Sequence, residues 1–244
     1  MNKVHTMKHQ IFETGKPVFT GWEYFSTPIW HGEFPERVPL LNKICDKHIQ
    51  AAKKINNKVI KERNKVFKKN LKDLGMSHHS GSLFHLPEMK DFAQLAGSSS
   101  WEFLNWCGWD LKNHSLDFSE MWVQEFGKTG GGHHSQHTHP NQHVSGFFFL
   151  KCSSKTSYPV FHDSRPGAIM KGLPQKDQTK ITCATSNVHF TPKPGTMIII
   201  PGYVPHEYPI DMGLDPFRFI HWNLQCVPKK EIILEKSNEN SRNI

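Results

Sequence analysis

The feature that most constrains this chain is a change of rhythm near Leu116. Beyond it, short apolar runs (MWVQEF, VSGFFFL, YPVFHD, NVHFTP, TMIIIP, FRFIHWNL) are set apart by clusters of Gly, Pro, Asn and Asp. Short runs between turn-forming residues describe strands, and a succession of them describes a β-sandwich or barrel. Before that point the rhythm is helical. Leu41, Ile44, Cys45, His48, Ile49, Ala52 and Ile55 recur at intervals of three and four. This spacing predicts an amphipathic helix from Val38 to about Leu74, stopped by Gly75 and weakened around Asn56, Asn57 and Asn64. A second helix is expected from Pro87, with Met89, Phe92, Ala96, Phe103 and Trp106 on one face. Short strands are expected over 24–30 and 83–86, with a loop over 78–82. The chain so divides into an N-terminal support region (1–115), a β core (116–228) and a polar tail (229–244).

The 244 residues suffice for one sizeable core, and 17 Phe, 7 Trp and 4 Tyr are available to fill it. Cys45, Cys107, Cys152, Cys183 and Cys226 are widely spread, odd in number and free of any CxxC pair. That pattern argues against a disulfide framework or a cysteine zinc site, and for a reducing cytoplasm. The N-terminus has no apolar signal-peptide run, and no stretch approaches the roughly 18 apolar residues of a membrane span, so no membrane partner is expected. Between Lys43 and Asp73 eleven Lys/Arg face three Asp/Glu, which accounts for the whole net charge of +8. The basicity therefore belongs to one element and reads as a solvated helix face. Nucleic acid is the lesser alternative, because Phe67 is the one aromatic in the segment and stacking platforms need more.

The chemistry is concentrated in HSQHTHPNQHVSGFFFL, residues 134–150. On an extended chain His137 and His139 point to the same face, where two imidazoles can grip one metal ion. His206, just past the apolar run TMIIIP, is the candidate third ligand. Three protein ligands leave coordination positions open, which is a catalytic pattern. His133, His134, His143, His162, His189 and His221 read as surface or core residues, with His143 a candidate for outer support of the ligands. Arg218 stands twelve residues after His206; if buried it needs an anion, either a bound carboxylate or a structural acid such as Asp211 or Asp215. Asp163 and Arg165 read as a salt-bridged turn or a substrate contact, with Asp163 the next acidic residue to test as a ligand.

Four segments carry a family likeness: YFSTPIW, GGHHSQHTHPNQHVSGFFFL, YPVFHDSRPG, and PKPGTMIIIPGYVPHEYPI with FRFIHWNL. Their order resembles the 2-oxoglutarate/Fe(II)-dependent oxygenases, most closely the small uncharacterised members of bacteria and phages. The resemblance spans roughly residues 22–226. It implies an α+β fold, a double-stranded β-helix (jelly-roll) core with N-terminal helices packed on its major sheet. It also implies His137, His139 and His206 as iron ligands and Arg218 as the partner of the remote carboxylate of 2-oxoglutarate. The sequence departs from the superfamily by carrying His139 where Asp or Glu is usual, and Phe219-Ile220 where a hydroxyl residue often follows the arginine. The activity implied uses Fe(II), 2-oxoglutarate and O2 to hydroxylate a C–H bond, releasing succinate and CO2. No motif distinguishes a small-molecule from a protein substrate. Two alternatives stand beside it: a three-histidine metal enzyme of cupin type without 2-oxoglutarate, and a non-catalytic binding module.

Overall fold

A computed structural model describes residues 25–165 and 173–229, together with the two-residue strands β1 (His9–Gln10) and β2 (Thr20–Gly21), which pair with each other. The remaining elements are β3 (Trp30–Glu33), α1 (Val38–Phe67), β4 (Ser77–His79), α2 (Lys90–Trp106), β5 (His114–Phe126), β6 (His134–His137), β7 (Val144–Lys151), β8 (Val160–His162), β9 (Asn187–His189), β10 (Thr196–Pro201), β11 (His206–Tyr208) and β12 (Arg218–Pro228). They form two antiparallel sheets, one of six strands in the order β3-β10-β7-β12-β5-β4 and one of four in the order β6-β11-β8-β9. Together with the two helices on the larger sheet, this is the expected α+β jelly roll.

Two apolar layers lie on the two faces of the six-stranded sheet. The outer layer joins Val144, Phe148, Leu150, Ile220, Trp222 and Leu224 to Leu41, Cys45 and Ile49 of α1 and Phe92, Ala96 and Phe103 of α2. The inner layer, enclosed between the sheets, contains Phe126, Phe147, Phe149, Tyr208, Phe217 and Phe219. Strand β7 sits centrally with both faces covered, so it reads as an unbroken apolar run rather than an alternation.

The helices differ in detail from expectation. Helix α1 buries Leu41, Cys45, Ile49 and Ala52, one stripe at spacings of four and three, and ends at Phe67 rather than Leu74. Lys68 terminates it in the left-handed conformation (φ 50°), with its N–H reaching back to the Asn64 and Lys65 carbonyls. The asparagines do not break the helix because their side chains serve neighbouring segments. Asn56 Nδ2 donates to the Ser77 carbonyl at 3.2 Å, and Asn64 Oδ1 accepts from the Leu71 N–H at 3.0 Å. That first bond helps dock β4, a strand lying partly where a loop was expected. Residues 83–86 form no strand, and the N-terminal strand begins at Trp30, after Pro28 rather than before it. Residue 24, the start of the expected strand, lies outside the described residues. From the N-terminal region, β3 and β4 supply the two edge strands of the core sheet.

Candidate metal centre

Two local features bring the histidines together. Strand β6 pairs with β11 in the register His137↔His206, placing those residues side by side on the smaller sheet. The chain then turns at Pro140-Asn141, where Asn141 takes a positive φ of 63° that asparagine tolerates. The His139 N–H is held on the Gly202 carbonyl at 2.9 Å. Gly202 is required here, because a Cβ at that position would lie 2.3 Å from the Gln142 carbonyl oxygen.

The three rings converge. Centroids are 4.4 Å apart for His137–His206 and 5.1 Å for each of the other two pairs. One ligating atom from each residue lies within 4.8 Å of the others. The Nδ1 of His137 faces the Ser135 carbonyl at 2.7 Å, and that of His206 faces the Val204 carbonyl at 3.0 Å. A carbonyl only accepts, so Nδ1 is the protonated nitrogen in both rings, and in the neutral ring the lone pair is on Nε2. This outer hydrogen bond to a backbone carbonyl is the arrangement that orients metal-ligating histidines. Burial pushes the His206 imidazole down to about 3 and the His139 imidazole to about 2, the latter helped by neighbouring His221. Both are therefore neutral near pH 7.

The cavity they open into measures about 70 Å³ and is walled by Trp122, Phe147, Tyr208 and Phe219. Phe147 faces it while Phe148 lies in the helix-side layer, the alternation expected of the aromatic run. Tyr208 Oη and His221 Nδ1 are buried without a hydrogen-bond partner, and both residues line the cavity. Buried polar atoms of this kind are normally satisfied, so they mark a place for a polar ligand.

Arg218 is not part of this cavity. Side chains alternate along β12, so Phe219, His221 and Asn223 face inward while Arg218, Ile220 and Trp222 face the helices. The Arg218 guanidinium, almost fully buried, donates from Nε and Nη2 to Glu125 Oε2 at 2.8 and 2.7 Å, and from Nη1 to Asp46 at 2.7 Å and Asn42 at 3.1 Å. This corrects the expectation that it holds the remote carboxylate of 2-oxoglutarate. The alternative, a structural acid, holds in kind, but the acids are Glu125 and Asp46 rather than Asp211 or Asp215. Among the described residues no lysine or arginine lines the histidine cavity. The donor set thus suits a divalent metal and provides no cationic partner for a dicarboxylate.

The remaining expectations separate cleanly. Asp163 and Arg165 form a two-pronged ion pair, with Arg165 Nη2 2.7 Å from Asp163 Oδ2, and line a different cleft of about 330 Å³. Asp163 is no member of the described ligand groups. His143 accepts the Cys226 backbone N–H through Nδ1 at 3.0 Å and supports the sheet instead of the ligands. Sequence reading classed His134 and His221 as surface or core residues and did not single out Glu120 or Asn223. His134 lines the cavity and meets Gln124 Oε1 at 2.6 Å through Nε2. His221 is buried with its ring stacked 4.8 Å from that of His139. The period of two in FRFIHWNL groups His221 with Asn223 and separates both from Arg218, but it does not say which face is the interior.

The fold and site describe a jelly roll with a histidine cluster suited to a metal at its mouth, and known proteins of that class match. Residues 120–215, which include all three histidines, match a family described as "Putative 2OG-Fe(II) oxygenase". The chain therefore resembles the 2-oxoglutarate/Fe(II) oxygenase superfamily, as its motifs implied. No curated protein matches the chain. Among solved structures, the non-heme monooxygenase ThoJ in its nickel complex aligns with a TM-score of 0.50, 9% identity, and 83% of this chain on 76% of that one. AviO1 from Streptomyces viridochromogenes Tue57 aligns with a TM-score of 0.49, 9% identity, and 82% and 90% coverage. A Pseudomonas putida prolyl-4-hydroxylase gives 0.48, 12%, and 81% and 93%. These are likenesses of fold, and the ThoJ match carries the comparison.

Proposed function

We propose that the protein is an Fe(II)- and 2-oxoglutarate-dependent oxygenase that hydroxylates a C–H bond of a small-molecule or protein substrate in the cytoplasm, with release of succinate and CO2. One observation carries this reading: three imidazoles converge at the mouth of a jelly roll, two of them with Nδ1 engaged by backbone carbonyls so that Nε2 faces the cluster. The family match over the same residues supports it.

Bound iron, with 2-oxoglutarate as co-reductant, would supply the reactivity toward O2 that side chains lack. The protein's own contribution is positional. His137 and His206 would hold the metal, and His139 closes the group. Because burial keeps His206 neutral and its proton is held on Nδ1, no proton has to leave that ring before a cation enters near pH 7. Trp122, Phe147, Tyr208 and Phe219 give the cavity mostly aromatic walls. No residue of this chain is assigned to the far end of 2-oxoglutarate, since Arg218 is engaged on the other face of the sheet.

The test is anaerobic visible spectroscopy of the purified protein with Fe(II), with and without 2-oxoglutarate. The expected result is a weak charge-transfer band that needs both. Metal uptake without the band would leave a metalloenzyme that uses no 2-oxo acid. Absence of uptake would remove the reading altogether. His137→Ala and His206→Ala are expected to abolish the band, and His189→Ala, at an exposed position, to preserve it. Equal loss in all three would contradict the assignment.

A further inference from the structure

Behind the histidine cluster lies a network of inward-facing side chains whose donors and acceptors can be arranged in one way. Asn223 Nδ2 lies 2.5 Å from Glu120 Oε1 and 2.9 Å from His139 Nδ1, while Asn223 Oδ1 lies 2.5 Å from Ser145 Oγ. Glu120 as a carboxylate only accepts; Ser145 and a neutral imidazole can each do either. Turning the Asn223 amide over would set its carbonyl oxygen against the Glu120 carboxylate, two acceptors at hydrogen-bond distance with no proton between them. The amide therefore gives one N–H to Glu120 and the other to His139. His221, with Nε2 3.5 Å from Glu120 Oε1, lends the carboxylate further support and helps hold it ionised.

An N–H aimed at His139 Nδ1 requires a lone pair there, and in a neutral ring the proton then sits on Nε2. That atom lies 3.3 Å from His206 Nε2, whose lone pair is free to accept because the His206 proton is on Nδ1. One directed chain results. Asn223 donates to Glu120 and to His139, His139 donates to His206, and His206 donates to the Val204 carbonyl.

Resting on the metal-centre reading above, we propose that Glu120, acting through Asn223, fixes His139 as a hydrogen-bond donor beside the metal position rather than as a third metal ligand. His137 and His206 are then the protein's two ligands. The metal keeps one more position for an exogenous anionic ligand, such as a carboxylate, and the His139 N–H offers that ligand a hydrogen bond. Glu120 and Asn223 are positioning residues. The same arrangement accounts for the second convergent group in this region, Glu120, His139 and His221, as a polar network.

Two measurements decide this. In metal-free, uniformly ¹⁵N-labelled protein, long-range ¹H–¹⁵N correlation spectra report which ring nitrogen carries the proton. Expected are Nδ1–H for His137 and His206 and Nε2–H for His139, with Glu120→Gln shifting His139 toward Nδ1–H because glutamine can donate to a turned Asn223 amide. A His139 proton on Nδ1 in the unaltered protein overturns the proposal; an unchanged tautomer in Glu120→Gln overturns the part of Glu120. Secondly, Zn(II) affinity is measured by chelator competition. His137→Asn and His206→Asn are expected to weaken it by about 100-fold or more, and His139→Asn, which still offers an N–H, by no more than about 3-fold. Equal losses in all three overturn the proposal. If the unaltered protein binds no Zn(II), the metal-centre reading fails, and the tautomer spectra still decide whether the network is arranged as described.

Discussion

At Gly146 the central strand β7 passes directly beneath the indole of Trp222 on the neighbouring strand. A Cβ there would sit 2.1 Å from Trp222 ring atoms, and Trp222 is itself held by its Nε1–H on Ser100 Oγ of α2 at 3.3 Å. Gly146→Ala is expected to lower stability by about 1–3 kcal/mol, the usual cost of overpacking, read as a lower urea midpoint. The nearby histidine cluster should survive in the folded fraction, since Gly146 faces the helices and the histidines face the interior. Single residues of the centre were legible in the same uneven way. His137 and His139 announce themselves by spacing, and His206 by its place after an apolar strand. His221 and Glu120 carry no such local mark, because what matters about them is which side of a sheet they occupy.

Among the elements, β12 shows the consequence of that ambiguity. Its outward arginine ties the sheet to α1 through Asp46 and Asn42 and to β5 through Glu125, while Lys53 of α1 reaches Glu125 from the other side at 2.5 Å. Burial pushes the Glu125 carboxyl up, but its bonds to Lys53 and Arg218 outweigh this and hold it below its usual range. Removing Arg218 leaves a cavity and takes the closest guanidinium contacts from the buried Glu125 carboxylate, which keeps Lys53. Arg218→Ala is therefore expected to cost about 2–3 kcal/mol in urea unfolding, with Zn(II) affinity per folded molecule unchanged. A loss of 2-oxoglutarate binding at intact stability would instead restore the arginine to the cavity. The basic stretch of α1 shows a similar division of labour. Lys47 and Lys53 pair with Glu88 and Glu125, and Arg63 caps the carbonyls of Lys72 and Leu74, so part of the charge run is structural.

For the whole molecule, the buried histidines make acid the weak side. His134 and His206 are pushed down to about 3, and His139 to about 2, by burial, against an ordinary value of 6.5. The unfolded chain takes up these protons below pH 6.5 and the native protein does not, so stability is complete above that pH. It then falls as the pH drops toward 3, by at most about 1.4 kcal/mol per pH unit for each group. The expected outcome for metal-free protein is a urea midpoint flat above pH 7 and declining between pH 6.5 and 5. A midpoint independent of pH over that range would show that these rings are accessible to protons in the native state. Among the described residues no helix is long and apolar enough to cross a membrane.

By itself the sequence determined the two helices, most of the core strands and the histidines that meet, because those follow from local periodicity and from spacing along one strand or just beyond it. Even Asn56 and Asn64, poor helix formers, did not alter the outcome, since tertiary hydrogen bonds employ them. The tertiary structure alone decided which face of β12 looks inward. A strand's alternation sorts residues into two sets but carries no sign, and both sets here contain polar groups. The sign came from packing. Two helices cover the outer face and a second sheet the inner one, which sent Arg218 to Glu125 and brought His221 and Asn223 to the histidine cluster.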